Sequence, residues 1–94
     1  MLLEQKTAVI SGCNRGIGKA TLETFAENGA DIFACVRKES DEFTDIITKL
    51  AEKTGVSITP IYFDLVDKEQ VKAGIKSIMS SKKQIDILVN NAGI

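Results

Sequence analysis

The chain has 94 residues, so it holds at most one domain. Its apolar content of 44%, charged content of 27% and net charge of −1 are ordinary for a globular protein and indicate no broad nucleic-acid or membrane surface. No apolar run approaches the roughly 20 residues of a membrane span, and the first residues lack the basic segment of a signal peptide. The two cysteines lack the spacing of metal ligands. We therefore expect a cytoplasmic protein with reduced thiols that binds no nucleic acid, membrane or metal.

Short apolar segments alternate with segments of helical periodicity along the chain. A buried strand is predicted at residues 6–11, and a helix follows at residues 16–28, where Asn28-Gly29 is a typical helix stop. A second strand is predicted at residues 31–36. Ser40 is the expected cap of a second helix that ends at Gly55. The apolar residues of that helix recur at helical spacing and predict its buried face, which consists of Phe43, Ile46, Ile47, Leu50 and Ala51.

The third strand and the third helix carry two local signals. The strand is predicted at residues 57–63, and its Pro60 cannot donate a ladder hydrogen bond, which favours the edge of a sheet. Asp67, with Gln70 three residues later, resembles the capping box of a helix. We expect that helix to bury Val71, Ile75, Ile78 and Met79.

A fourth strand at residues 85–89 completes the order βαβαβαβ. This order predicts an α/β fold, a doubly wound parallel sheet of Rossmann type with strand order 3-2-1-4, which places Pro60 at an edge. Two helices would cover one face, and the third would cover the other only in part. The fourth strand would be an open apolar edge. We therefore expect residues 1–94 to be the N-terminal, cofactor-binding part of a larger, here incomplete, domain.

Three glycines lie between the first strand and the first helix, in the segment SGCNRGIG that begins at Ser11. In an open α/β sheet, ligands bind at the carboxyl ends of the strands, beside the switch point. The unpaired N–H groups of a helix N-terminus suit a pyrophosphate, and glycines allow the backbone to come close to it. The segment therefore favours nucleotide binding, the alternative being a plain strand–helix turn. It does not end in Gly-Lys-Ser/Thr, which argues against a P-loop.

Three motifs in this order resemble the short-chain dehydrogenase/reductase family over the whole chain. They are Ser11-Gly12-x-x-x-Gly16-Ile17-Gly18, Asp64-Leu65 after the third strand, and Asn90-Asn91-Ala92-Gly93 after the fourth. The first has serine where the family usually has threonine. The segments NRGIGKA and DILVNNAGI are most similar to the 3-oxoacyl-[acyl-carrier-protein] reductases of that family.

The resemblance implies an oxidoreductase that interconverts carbonyl and alcohol groups, a role in fatty acid biosynthesis, and a parent enzyme that is often a homotetramer. Its substrate would be a small or acyl-carrier-bound carbonyl compound. Asp64 would accept a hydrogen bond from the adenine amino group, although it could instead only cap the turn before Asp67. Leu65 would lie near the adenine ring. The implied cofactor-binding residues are Gly12, Asn14, Arg15, Gly16, Ile17, Gly18, Arg37, Asp64, Leu65, Asn91, Ala92 and Gly93, the last three of them near the nicotinamide ribose. The amides of Asn90 and Asn91 could also tie neighbouring strands together.

The end of the second strand indicates which dinucleotide is preferred. Chains that prefer NAD usually carry an acidic residue there, whereas this chain has Arg37 and Lys38. Arginine can pair with a 2′-phosphate, and Arg15 could reach the same group from the glycine segment. In the family, basic residues at these two positions accompany NADP. We therefore expect NADP rather than NAD, the alternative being that these cations are solvated loop charges.

The family's catalytic serine and Tyr-x-x-x-Lys motif are absent from the chain. Its single tyrosine, Tyr62, lies in the third strand with no lysine four residues later and is interpreted as a packing residue. We expect the 94 residues alone to be inactive and the parent to be an NADP-dependent oxidoreductase. The alternatives are a complete, non-catalytic nucleotide-binding module and a truncated remnant without function.

Overall fold

A computed structural model describes residues 2–91. Strands and helices alternate in the described chain, in the predicted order. They are β1 (Thr7–Ser11), α1 (Gly16–Glu27), β2 (Asp31–Val36), α2 (Asp41–Thr54), β3 (Ile58–Tyr62), α3 (Lys68–Ser80) and β4 (Ile87–Val89). None of these helices is long and apolar enough to cross a membrane.

The strands form one parallel sheet of order β3-β2-β1-β4, which confirms the predicted topology. β1 pairs with β2 through Ile10 and Ala34 and with β4 through Ile10 and Val89. β3 is an edge strand, and its Pro60 is the register partner of Ala34. The edge position accommodates a residue that has no backbone N–H.

Helix and strand ends follow the predicted signals to within two residues. Ser40 Oγ accepts a hydrogen bond from the backbone N–H of Phe43 and caps α2, and Gly55 ends that helix in the left-handed region at φ 80°. The largest difference between predicted and observed bounds is at the start of β4, which begins at Ile87 although the apolar pattern starts at Ile85. Asp86 interrupts that pattern, and its carboxylate accepts a hydrogen bond from the backbone N–H of Thr7 at 2.9 Å.

The main core lies between the sheet and the pair α1 and α2. Strand side chains of one face pack there against apolar residues of both helices, as helical periodicity predicted for α2. Its buried members include Ala8, Ile10, Leu22, Ala26, Ile32, Ala34, Phe43, Ile47 and Leu50. A smaller cluster of Phe33, Cys35 and Ile61 lies on the opposite face.

α3 covers this opposite face in a different way from the prediction. Val71 and Ile78 are half-buried, as expected, but Ile75 and Met79 are 52% and 72% exposed. The residue of α3 that is fully buried is Gly74. An added Cβ at Gly74 would lie 2.8 Å from Cδ1 of Phe63, so the helix contacts the sheet along its glycine. The prediction for Ile75 and Met79 is therefore wrong, because the contact face is centred on a residue that has no side chain.

Candidate functional site

The carboxyl ends of β1, β2 and β3 open into one cleft of about 1040 Å³. Ten of the twelve residues predicted to bind the cofactor line it; they are Gly12, Asn14, Arg15, Gly16, Ile17, Gly18, Arg37, Asp64, Leu65 and Asn91. Ala92 and Gly93 lie outside the described residues. Segments that are up to 80 positions apart in the chain thus meet because parallel strands end at one edge of the sheet.

The loop between β1 and α1 depends on its glycines. Gly12 and Gly16 adopt φ values of 64° and 59°, a region that side chains disfavour. Gly18 is buried in the first turn of α1, and an added Cβ would overlap the carbonyl group of Gly12. The three glycines therefore fold the loop back against its own helix and keep the start of α1 close to the end of β1.

Within the part of the chain that the structure describes, no side chain caps the N-terminus of α1. Its cap residue, Arg15, is extended and makes no capping hydrogen bond, and the first turn contains no acidic residue. In contrast, α2 and α3 are capped by Ser40 and Asp67 and carry acidic residues in their first turns. The positive end of the α1 dipole thus faces a cleft lined by its own loop, which is an arrangement that suits an anion.

The charged residues that line the cleft are three cations and one carboxylate: Arg15, Arg37, Lys38 and Asp64. Asp64 pairs with Arg37, whose Nε lies 3.1 Å from Oδ2 of the carboxylate. The arginine side chain is 72% exposed, so solvent screens this pair and it contributes little to stability. Arg15 and Lys38 have no ion pair within residues 2–91, which leaves an excess of positive charge beside the start of α1.

Asp64 also holds the turn that leads to α3. Its other oxygen, Oδ1, accepts a hydrogen bond from the backbone N–H of Val66 at 3.1 Å, and its carbonyl accepts one from Asp67. The hydrogen bond from Val66 therefore agrees with the interpretation that Asp64 caps the turn before Asp67. Since the residue also lines the cleft beside Leu65, a contact with adenine stays a prediction.

Ser11 connects β1 to the segment after β4. Its hydroxyl donates to Oδ1 of Asn90 and accepts from the backbone N–H of Asn91, both at 3.0 Å. The side-chain amide of Asn90 thus ties neighbouring strands together, as one of its two interpretations predicted, whereas Asn91 contributes its backbone N–H to this contact. The side-chain Nδ2 of Asn91 is buried and has no hydrogen-bond partner within the described residues. A buried donor without a partner is costly, and this one belongs to a residue that lines the cleft.

The two cysteines are free and buried. Burial raises the pKa of Cys13 to about 12, with a smaller contribution from the neighbouring Cys35, and raises the pKa of Cys35 to about 11. The thiol of Cys13 also donates to the carbonyl of Ile10 at 2.9 Å. Both are therefore protonated near neutral pH, and Cys13 serves as a small core residue of the loop.

Several residues of the cleft wall were not predicted as site residues: Ser11, Cys35, Val36, Lys38, Ser40 and Phe63. Most of them are neighbours of predicted residues at strand ends, so the predicted strand boundaries could have indicated them. Ser40 carries no such signal, since its position depends on how α2 packs. Tyr62 is half-buried against the main core, in agreement with a packing role.

The parallel sheet of order β3-β2-β1-β4 is that of a Rossmann-type α/β protein. Comparison with known proteins gives the family. The sequence model described as short chain dehydrogenase matches residues 6–94. The chain therefore belongs to the short-chain dehydrogenase family.

Individual relatives agree with this assignment. The chain is 38% identical over 94 residues to a 3-oxoacyl-[acyl-carrier-protein] reductase of Thermotoga maritima and covers 37% of that protein. It is 42% identical to an uncharacterized oxidoreductase of Bacillus subtilis, of which it covers 33%. The solved structure of an L-sorbose reductase from Gluconobacter frateurii, complexed with NADPH and L-sorbose, superposes with a TM-score of 0.86 at 40% identity. That match covers 98% of this chain and 35% of the reductase. The chain thus spans about a third of the length of the relatives it matches.

Proposed function

We propose that this chain is the dinucleotide-binding part of an NADP-dependent oxidoreductase that reduces a carbonyl group, with a substrate of the 3-oxoacyl type. The observation that carries the proposal is the cleft itself. It combines a helix N-terminus without a side-chain cap with three cations, of which Arg15 is the cap residue of α1 and Arg37 and Lys38 follow β2. A second support is the structural similarity to a reductase that was solved with NADPH.

The residues present fit a dinucleotide phosphate. The backbone N–H groups at the start of α1 would hold the pyrophosphate, and Gly16 leaves open space beside them. Arg37 and Arg15 would pair with the 2′-phosphate, which arginine recognises through two parallel hydrogen bonds. Asp64 and Leu65 would form the adenine wall, and Asn91, Ala92 and Gly93 would line the nicotinamide ribose.

The bound cofactor would supply the hydride, and this chain would orient it. The sequence contains no Tyr-x-x-x-Lys motif to move a proton to the substrate oxygen. We therefore expect the purified 94-residue chain to bind NADP without turnover. Oxidation of NADPH by this chain in the presence of a 3-oxoacyl thioester would contradict that expectation.

Calorimetric titration with NADP and NAD tests the cofactor preference. We expect the wild-type chain to bind NADP more tightly, and Arg37→Ala to weaken NADP binding about tenfold, the lower end for a charge-assisted hydrogen bond. NAD binding should change little, since NAD lacks the 2′-phosphate. Lys49→Ala is the matched control, because Lys49 is an exposed cation of α2 that pairs with Asp45 and does not line the cleft. Equal affinity for both dinucleotides would contradict the proposal.

A further inference from the structure

Gln70 in the first turn of α3 makes a contact that a simple capping box does not explain. In a capping box the side chain at this position accepts from the backbone N–H of the cap residue. Here the backbone N–H of Asp67 donates instead to the carbonyl of Asp64. The Oε1 atom of Gln70 accepts from the backbone N–H of Asp64 at 2.8 Å, and its Nε2 donates to Asp67 at 3.1 Å.

These hydrogen bonds form a continuous chain from α3 to the cleft. Asp67 caps the helix and accepts from the Gln70 side chain, Gln70 holds the backbone of Asp64, and the Asp64 carboxylate accepts from Nε of Arg37 at 3.1 Å. Asp64 and Arg37 line the cleft, whereas Gln70 and Asp67 lie outside its wall. The Gln70 side chain, which does not line the cleft, is thus connected through Asp64 to the Arg37 side chain, which does.

Asp64 uses one of the five N–H donors of Arg37, and the terminal Nη groups have no partner within residues 2–91, so both are available to a ligand. An arginine held at Nε has fewer rotamers to lose when it meets a phosphate. The Asp64 carboxylate is only 26% exposed and would also repel a 2′-phosphate, but its charge is balanced by the guanidinium 3.1 Å away. We expect the gain from positioning to exceed the repulsion that remains.

We propose that Gln70 is a positioning residue for recognition of the 2′-phosphate: it fixes the Asp64 turn, and through it the orientation of the Arg37 guanidinium. This inference rests on the proposed NADP site. It predicts that the preference for NADP over NAD depends on a glutamine in α3 that the nucleotide does not touch.

The test uses 2′,5′-ADP and 5′-AMP, which differ only in the 2′-phosphate, and measures the ratio of their dissociation constants on the 94-residue chain. We expect Gln70→Ala to lower the preference for 2′,5′-ADP about two- to tenfold, the effect of one net hydrogen bond. Gln70→Glu keeps an acceptor for the Asp64 N–H but loses the donor to Asp67 and sets two carboxylates against each other, so it should keep only part of the preference. In an Arg37→Ala background, Gln70→Ala should have no further effect on the ratio.

Glu69→Ala is the matched control, because Glu69 lies in the same turn, is exposed, and its carboxylate pairs with no described residue other than Lys72, at 3.9 Å. If Gln70→Ala only loosened α3, it would weaken the binding of both nucleotides equally and leave the ratio of their dissociation constants unchanged. That result would overturn the inference. An additive effect of Gln70→Ala and Arg37→Ala on the ratio would also overturn it. If the wild-type chain showed no preference for 2′,5′-ADP, the proposed NADP site would fail as well, and this outcome is distinct from the other two.

Discussion

Gly18 lies so close to the preceding loop that the position admits no side chain. The spacing of the three glycines predicted a tight strand–helix turn, and the structure gives its physical reason, the contact between Gly18 and the Gly12 carbonyl. The sequence also predicted that Arg37 lies in the cleft, from its position at the end of β2. It could not predict the Arg37–Asp64 pair, because that contact depends on the turn after β3, 27 residues later.

Gly18→Ala should displace the loop from the start of α1. We expect a loss of about 1–3 kcal/mol in the free energy of unfolding, the usual cost of overpacking, together with loss of nucleotide binding. Urea unfolding and NADP titration measure the two effects. Gly55→Ala is a control: Gly55 has a positive φ of 80° but lies at the end of α2, outside the cleft, so its substitution should cost stability without changing NADP affinity. Unchanged binding by a folded Gly18→Ala chain would contradict the account of the loop.

The thiols give a pH dependence with a defined sign. Burial raises the pKa of Cys13 to about 12 and that of Cys35 to about 11, above the ordinary value of 9.0. The folded state therefore favours the neutral thiols, and their contribution to stability is complete below pH 9 and is lost as the pH rises through about 11 to 12. At pH 8 both thiols should resist an aromatic disulfide reagent until guanidinium unfolds the chain. Rapid labelling of either cysteine in the folded chain would contradict their burial.

The helices α2 and α3 show when the spacing of apolar residues predicts the buried face of a helix and when it does not. In α2 the buried residues Phe43, Ile47 and Leu50 were all predicted, because large apolar side chains mark its contact face. In α3 the contact face is Val71, Gly74 and Ile78, and a pattern built on apolar side chains does not count a glycine. The apolar residues beside that stripe, Ile75 and Met79, were assigned to the core although they point away from it.

Substitution of the buried Gly74 tests whether α3 contacts the sheet through this glycine. Gly74→Leu should lower the free energy of unfolding by more than about 2 kcal/mol, because the new side chain would collide with Phe63 and Ile61. Ala73→Leu, at the neighbouring exposed position, adds the same side chain and should change stability by less than about 0.5 kcal/mol. Thermal unfolding of both variants measures the difference. Equal effects would show that α3 does not contact the sheet through its glycine.

At the scale of the whole molecule, the two faces of the sheet are unequally covered. The strand order and the placement of helices follow from the βαβ alternation and were predicted. On the face that α3 covers only in part, Leu88 of the edge strand β4 is 74% exposed. Exposed apolar edges promote association between chains.

Leu88→Lys should therefore reduce the self-association of the 94-residue chain. Lysine on an edge strand disfavours pairing with another strand, and an exposed position tolerates the change. Sedimentation at increasing concentration measures the effect, and Leu2→Lys is the control, since Leu2 is 87% exposed but lies outside the sheet. The same association in both variants would contradict a role for the β4 edge.

We propose that the cleft at the carboxyl ends of β1, β2 and β3 binds a dinucleotide phosphate. The most direct measurement is an amide-resolved NMR titration of the isotope-labelled chain with NADP. We expect the largest shift changes at Gly12, in residues 14–18, at Arg37 and Asp64, and at Asn91, all of which line the cleft. We also expect only small changes on the exposed face of α3, at Ile75 and Met79. Changes centred on that face, or no changes with NADP in excess, would contradict the claim.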